Sequence, residues 1–290
     1  MPSILAAVVV LVVVTAQSAT GASGPTRWIV FSALPKGVNP AQLFRIQTTG
    51  AGLQQITHGK TIATEPAFSP NGKRVVFARL GAGIYVANLD GTGVRRLTSG
   101  KHDLYPVWAP DGKRIAFIRL RNNKFRLFVM TSSGRALRRV PQAPPAGRPS
   151  WTADGKSIFI PAEGALEKID SRTGREQKHV DMREDVTQSA TVSPNSQTVA
   201  FVGPRPSVPG CGDVSCLVFA LYLADVSRGK VQRFTNNTGP PGWSPDSKTL
   251  AFVYRGGIAL WPVAAGGMRT MLTTDSDLPQ ADAPPAWQPR

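Results

Sequence analysis

Three histidines, two cysteines and a scatter of carboxylates are the side chains in this 290-residue chain that could do chemistry. His58, His102 and His179 show no His-Glu-x-x-His spacing, and no Gly-x-Ser-x-Gly elbow is present to expose a nucleophilic serine. Gly155-Lys156-Ser157 imitates the end of a phosphate-binding loop, but Ser150 stands where the earlier glycine is required. Cys211 and Cys216 lie in Cys-Gly-Asp-Val-Ser-Cys, with Gly210 and Gly212 giving freedom to turn. In an oxidising compartment that spacing reads as a short disulfide loop, and two thiols without a nearby histidine make a poor metal site. The carboxylates Glu65, Asp103, Asp181, Glu184, Asp185, Asp275, Asp277 and Asp282 gather in a few short segments, interrupted by Lys60, Lys101, Arg148 and Arg183. Oxygen ligands of this kind suit polar recognition or a structural Ca²⁺.

These acids stand out because the chain as a whole is basic, with 34 Lys and Arg against 18 Asp and Glu and a net charge of +16. Hydrophobic residues make up 41%, which is a globular share and excludes a disordered or fibrous chain. Ile4 to Val14 is uninterrupted aliphatic and Ala, followed by the small residues Thr15 to Ala22. The run is short of the roughly 20 apolar residues a membrane span needs. It reads as a signal peptide over 1–22, cut between 16 and 23, with an uncleaved anchor as the alternative. No cysteine near the cleavage region marks a lipoprotein, and no second run of spanning length follows. The mature chain is expected to be a periplasmic or extracellular monomer.

What positions the chemistry is a repeat. PAFSPNGKRVVFA (66–78), PVWAPDGKRIAFI (106–118), PSWTADGKSIFIP (149–161), ATVSPNSQTVAFV (190–202) and PGWSPDSKTLAFV (241–253) share one frame. The chain closes on PAWQPR (285–290), the first half of a further copy, and RWIVFSA (27–33) supplies the second half. One slot holds Phe68, Trp108, Trp151, Val192, Trp243 and Trp287; another holds Phe31, Phe77, Phe117, Phe159, Phe201 and Phe252. Each copy is followed by an apolar run, a Gly-containing turn and a second short strand, as in IYVANLDGTGVRRLT (84–98). Four strands, A to D, recurring every 40–50 residues are the signature of propeller blades. In the A–B turn Ala-Pro-Asp-Gly-Lys, Pro110 presets φ, Asp111 can bond back to the main chain and Gly112 can take φ > 0. Six copies predict an all-β, six-bladed propeller over 27–290, closed when residues 284–287 pair with the first strand. Closure removes an exposed sheet edge. The two aromatic slots are expected between blades as core.

A propeller puts its D–A and B–C connections on one face. The acids above fall in the D–A connections, so the channel mouth is net acidic. The longest insertion, Gly203 to Leu217, joins the same face with both cysteines, as do Leu34–Gln42 and the basic Arg119–Lys124. The A–B and C–D turns and the D strands instead carry a large share of the positive charge, including Arg95, Arg96, Arg138, Arg139 and Arg172. Charged outer strands blunt sheet pairing, and they could also attract an anionic cell-wall polymer. Export, and no interleaving of aromatic with basic residues on exposed strands, argue against nucleic acid.

The repeated Pro-x-Trp-Ser-Pro-Asp-Gly-Lys-x-Ile-Ala-Phe…Ile-Tyr…Leu-Thr pattern resembles the TolB-type propeller repeat over about 27–290, best at 106–118 and 241–253. The resemblance implies a periplasmic protein-interaction platform, here as the propeller alone, without the family's N-terminal α/β domain. Similar propellers precede a catalytic domain in dipeptidyl-peptidase-like hydrolases; within residues 1–290 the repeat leaves no room for one, so that peptidase activity is not expected.

The expected function is thus an exported, non-enzymatic platform without a cofactor, binding an envelope protein or peptide at its channel mouth. The residues expected to carry recognition are Glu65, His102, Asp103, Tyr105, Glu184 and Asp185, with the 203–217 loop. The competing class is a metal-dependent lyase or hydrolase working in the channel through its histidines.

Overall fold

Short Val-, Ile- and Phe-rich runs, buried almost without interruption and cut by Gly, Pro, Asp and Asn turns, fold as strands covered on both faces. A computed structural model describes residues 26–34, 40–141, 147–162, 165–181, 190–204, 219–228, 230–236, 239–254, 257–264, 270–272 and 285–289. Among these there are 24 strands and no helix, arranged as six four-stranded antiparallel sheets.

Blade 1 runs β24 (Ala286–Trp287), β1 (Trp28–Ala33), β2 (Gln42–Gln47), β3 (Gln54–Gln55) from the axis outward. Blade 2 is β4 (Ala63–Phe68), β5 (Arg74–Arg79), β6 (Gly83–Asn88), β7 (Arg95–Arg96). Blade 3 is β8 (Asp103–Trp108), β9 (Arg114–Arg121), β10 (Lys124–Thr131), β11 (Arg138–Arg139). Blade 4 is β12 (Ser150–Trp151), β13 (Ser157–Ala162), β14 (Ala165–Asp170), β15 (Glu176–Asp181). Blade 5 is β16 (Thr191–Val192), β17 (Thr198–Pro204), β18 (Phe219–Asp225), β19 (Val231–Asn236). Blade 6 is β20 (Gly242–Trp243), β21 (Thr249–Tyr254), β22 (Gly257–Pro262), β23 (Thr270–Met271). The six A strands touch in a ring, β4 to β8 to β12 to β16 to β20 to β24 and back to β4.

The ring closes as the repeat predicts. Ile29 pairs with Trp287 and Val30 with Ala286. Gln288 tightens the join: its N–H donates to the Trp28 carbonyl at 2.9 Å, its side-chain oxygen accepts the Trp28 N–H at 3.2 Å, and its Nε2 reaches the Gly72 carbonyl of blade 2 at 3.2 Å.

The strand-B slot is core in every blade, and the strand-A slot is buried in all but blade 1, where Trp287 is half-buried. The six phenylalanines of strand B are 0–3% exposed. In blades 1, 2, 3 and 5 each stacks on a strand-C aromatic, as Phe117 does on Phe128 at 5.7 Å. Three strand-A tryptophans tie their blade to the one before through an indole N–H donated to a carbonyl of the preceding A strand, Trp151 to Val107, Trp243 to Thr191 and Trp287 to Gly242, whereas the buried Trp108 indole N–H has no partner among the described residues. The arginine that ends the A–B turn lies over the next blade's tryptophan, Arg74 on Trp108 at 5.2 Å and Arg114 on Trp151 at 4.8 Å. The turn itself works as its residues predict. Asp111 Oδ1 accepts the Lys113 N–H at 2.8 Å, Gly112 has φ +65°, and the looser copies place Ser196 and Ser247 in the same left-handed region at φ 61° and 62°.

Candidate functional site

In three successive copies the residue before the Pro of Pro-x-Trp or Pro-x-Phe is polar: Glu65, Tyr105 and Arg148. The innermost strands bring these three together. In β4 and β8 the register slips between Thr64 and Ala67 and between Leu104 and Val107. Each slip is a bulge that re-aims the side chain within it. Glu65 and Tyr105 sit in these bulges at φ 57° and 55°, left-handed backbone that costs a non-glycine residue about 1–2 kcal/mol. Glu65 Oε2 accepts the Tyr105 N–H at 2.5 Å. Arg148, just ahead of β12, reaches past blade 3 and donates through Nη2 to the Pro66 carbonyl at 3.1 Å.

All three groups are electrostatically displaced. Burial pushes the Glu65 carboxyl up to about 7, against the pull of the Tyr105 N–H and of Arg148. Burial, and then the Glu65 charge, push the Tyr105 phenol up to about 12, and Arg148 opposes them. Burial lowers the Arg148 guanidinium, while Glu65 and Tyr105 hold it up. No ion pair joins Arg148 to Glu65, and beyond Nη2 the guanidinium finds no acceptor among the described residues. Arg148 thus keeps N–H groups without an acceptor among the described residues, beside a carboxyl raised to about 7.

Asp103 occupies a different setting. Its carboxylate is 1% exposed and takes a two-pronged ion pair from Arg119, Nε to Oδ1 at 2.5 Å and Nη2 to Oδ2 at 2.8 Å, together with the Thr98 hydroxyl. Thr98 also accepts the Ile84 N–H at 3.0 Å. Arg119 lies over Phe117 and Phe128. The Asp103 carboxylate therefore anchors the D–A connection to the blade. Thr57 does the same one blade earlier, accepting the Leu43 N–H at 2.8 Å and donating to Gln42 at 2.9 Å.

His102 is exposed in the turn before β8, and its carbonyl accepts the Leu120 N–H. His58 is exposed and hydrogen-bonded to Gln55, while His179 lies on the outer strand β15, 4.0 Å from Glu176. The three histidines are not brought together, and among the described residues no group of three His, Cys, Asp or Glu could hold a metal. Glu184, Asp185, Cys211, Cys216 and all but the first two residues of the 203–217 loop lie outside the described residues.

Sequence reasoning placed Arg148 among the rim charges and missed its partnership with Glu65 and Tyr105. The signal was present, since all three occupy one slot of the repeat. Part of the basic outer surface is also committed. Arg45 donates to the Leu89 carbonyl, Arg95 to Ser133, Arg138 to Ser171 and Arg172, and Lys178 to Val226, each reaching the next blade. Among the described residues no helix is long and apolar enough to cross a membrane.

A six-bladed ring with polar side chains on its innermost strands defines a propeller binding scaffold. The family model for the TolB beta propeller domain matches residues 18–169, and the chain belongs to that family. No curated protein sequence matches it. Among solved structures it is similar to TolB from Acinetobacter baumannii, with a TM-score of 0.74 and 18% identity over 91% of this chain and 67% of that one. It is similar also to a putative TolB from Agrobacterium tumefaciens, with a TM-score of 0.63 and 18% identity over 90% of this chain and 94% of that one. Hydrazine synthase from Kuenenia stuttgartiensis gives a TM-score of 0.68 at 13% identity over 91% of this chain, which spans 47% of that one. At these identities the likeness is one of fold.

Proposed function

We propose that the protein is an exported, non-enzymatic propeller that binds a segment of an envelope protein or peptide at the D–A face of its channel. The observation that carries this reading is the Glu65–Tyr105–Arg148 cluster. Two strained residues and an incompletely partnered buried cation on adjacent A strands are costly to keep, and strain of this kind collects where a ligand is held. Residues 1–22 act as the export signal in this reading, and membership of the TolB propeller family supports an envelope setting. His102, exposed in the turn before β8, would flank the inserted segment, and the sequence puts Glu184 and Asp185 in the matching connection of a later copy.

The test is a crosslinking pull-down from native envelope with the wild-type chain, Glu65→Gln and Arg148→Met. Loss of the same captured protein from both variants, with unchanged circular dichroism, supports the channel face. Equal capture by both discards it.

A further inference from the structure

Blade 3 carries a hairpin longer than its neighbour's. β9 and β10 pair over eight residues each, where β5 and β6 pair over six. The additional residues, Leu120–Arg121 and Lys124–Phe125, carry the ribbon about 6–7 Å beyond Arg119, which pairs with Asp103 at the start of β8. The ribbon therefore stands up from the D–A face beside the channel mouth. Its turn is Asn122-Asn123 with φ 51° and 55°, both left-handed as in a type I′ turn, which matches the twist of the paired strands.

One face of this arm is a ladder of cross-strand pairs. Phe117 opposes Phe128 at its root, then Arg119 opposes Arg126, and Arg121 opposes Lys124 at the tip. Like charges directly opposite destabilise a ribbon. Asp103 neutralises Arg119, but no ion pair reaches Arg121, Lys124 or Arg126 among the described residues. Arg121 and Lys124 are exposed. Here the sequence keeps three cations where neutral strand formers would hold the ribbon better.

We propose that the β9–β10 hairpin is a preformed docking arm for an extended acidic protein segment, with its Asp or Glu side chains at alternate positions. Charge complementarity selects the acid, and spacing selects the extended chain. Same-face side chains on the arm recur about every 6.6 Å, the repeat of same-face side chains on an extended peptide. A ribbon two strands wide offers no broad plane to a membrane. The arm is distinct from the Glu65 cluster, so the two readings can fail separately.

The test uses the full chain and a fluorescein-labelled peptide of alternating Glu and Thr, with a Gln-for-Glu peptide as control, followed by fluorescence anisotropy in low salt. The arm predicts binding of the Glu peptide alone. It predicts affinity weaker by at least about tenfold in the triple variant Arg121→Thr, Lys124→Thr, Arg126→Thr, and in Lys124→Glu. Glu65→Gln should bind this peptide like wild type. Both arm variants should melt no lower than wild type, because each relieves like-charge pairing. Equal binding by wild type and the triple variant overturns the proposal, as does equal binding of the two peptides or a lower melting temperature in both arm variants. Hairpin-dependent flotation with phosphatidylglycerol vesicles, without hairpin-dependent peptide binding, overturns it in favour of lipid.

Discussion

The carboxylate of Glu65 accepts the main-chain N–H of Tyr105 at 2.5 Å, and both residues hold left-handed backbone on adjacent innermost strands. The bond joins two bulges, so each blade's distortion is held by its neighbour. Arg148 then fastens blade 4 to blade 2 through the Pro66 carbonyl. Half of the propeller's inner ring is thereby tied by polar contacts.

This arrangement makes stability depend on pH in a defined window. Burial, the largest effect on Glu65, raises its folded pKa from 4.5 to about 7. Between those values the folded protein holds a proton that the unfolded chain has released. The stability contributed by this group is complete below about pH 4.5 and is lost as pH climbs through 7, a span of about 3 kcal/mol. Glu65→Gln keeps the acceptor oxygen and removes the charge. Its urea midpoint should vary less than wild type across this window and exceed wild type at about pH 8. A variant that follows the wild-type pH curve would show that Glu65 does not titrate there.

Asp103 and Arg119 form the other buried charge system, and there the outcome is structural. The Asp103 side chain is wholly buried and that of Arg119 is 22% exposed. Asp103→Asn leaves the guanidinium without its counter-charge and should cost roughly 3–5 kcal/mol. Asp103→Leu combined with Arg119→Leu should recover much of that loss, because an apolar pair removes both charges at once. Denaturant unfolding of Asp103→Leu, Arg119→Leu and the double variant gives the coupling directly. A loss under about 0.5 kcal/mol in Asp103→Asn would place Asp103 among ordinary surface charges.

Ser196 and Ser247 offer a contrast within one repeat slot. Both have φ near 60° where other blades use glycine. Ser196 Oγ is buried and has no hydrogen-bond partner among the described residues, whereas Ser247 Oγ accepts the Asn195 N–H at 3.1 Å. Ser196→Gly relieves the backbone and removes an idle polar atom, so it should stabilise by about 0.5–1 kcal/mol. Ser247→Gly relieves the same backbone but gives up a hydrogen bond, and should come out near neutral. Thermal melts of the two variants side by side read the difference, and a larger gain in Ser247→Gly would reverse the argument.

The blade count and the strand frame were legible because they rest on local rules that recur around the ring: Phe in one slot of all six blades, Asx-Gly or Asx-Ser at the turn, and Trp at the seam in four blades. Ring closure was legible because the two chain ends carry complementary halves of one copy. The site was only half legible. Glu65 and Tyr105 could be chosen as polar residues at the mouth, but Arg148 joins them from 43 residues beyond Tyr105, and bringing the three together needs the bulges in β4 and β8. Asp103 read as a rim acid because its partner Arg119 lies on the next strand, in a segment that looks like a basic loop. The sequence also hid that this segment is a paired ribbon, since Asn-Asn takes two left-handed residues here only with the strands paired around it.

Ring closure rests on a short strand pairing. Two residue pairs join β24 to β1, and Gln288 reinforces them from both sides. Trp287 packs against the cluster that holds Phe31, Ile46 and Val253, and its indole donates to the Gly242 carbonyl at 3.1 Å. Trp287→Ala removes that packing and the link to blade 6, and should cost about 2–3 kcal/mol, less than a fully buried tryptophan. Deleting residues 285–290 goes further. It bares the edge of β1 and leaves the inner ring open between blades 6 and 2, and an exposed edge strand pairs with other chains. The deletion should therefore elute partly as oligomers on gel filtration at concentrations where Trp287→Ala remains a monomer. If the deleted chain stays monomeric and melts with the full-length protein, the terminal strand does not hold the ring shut.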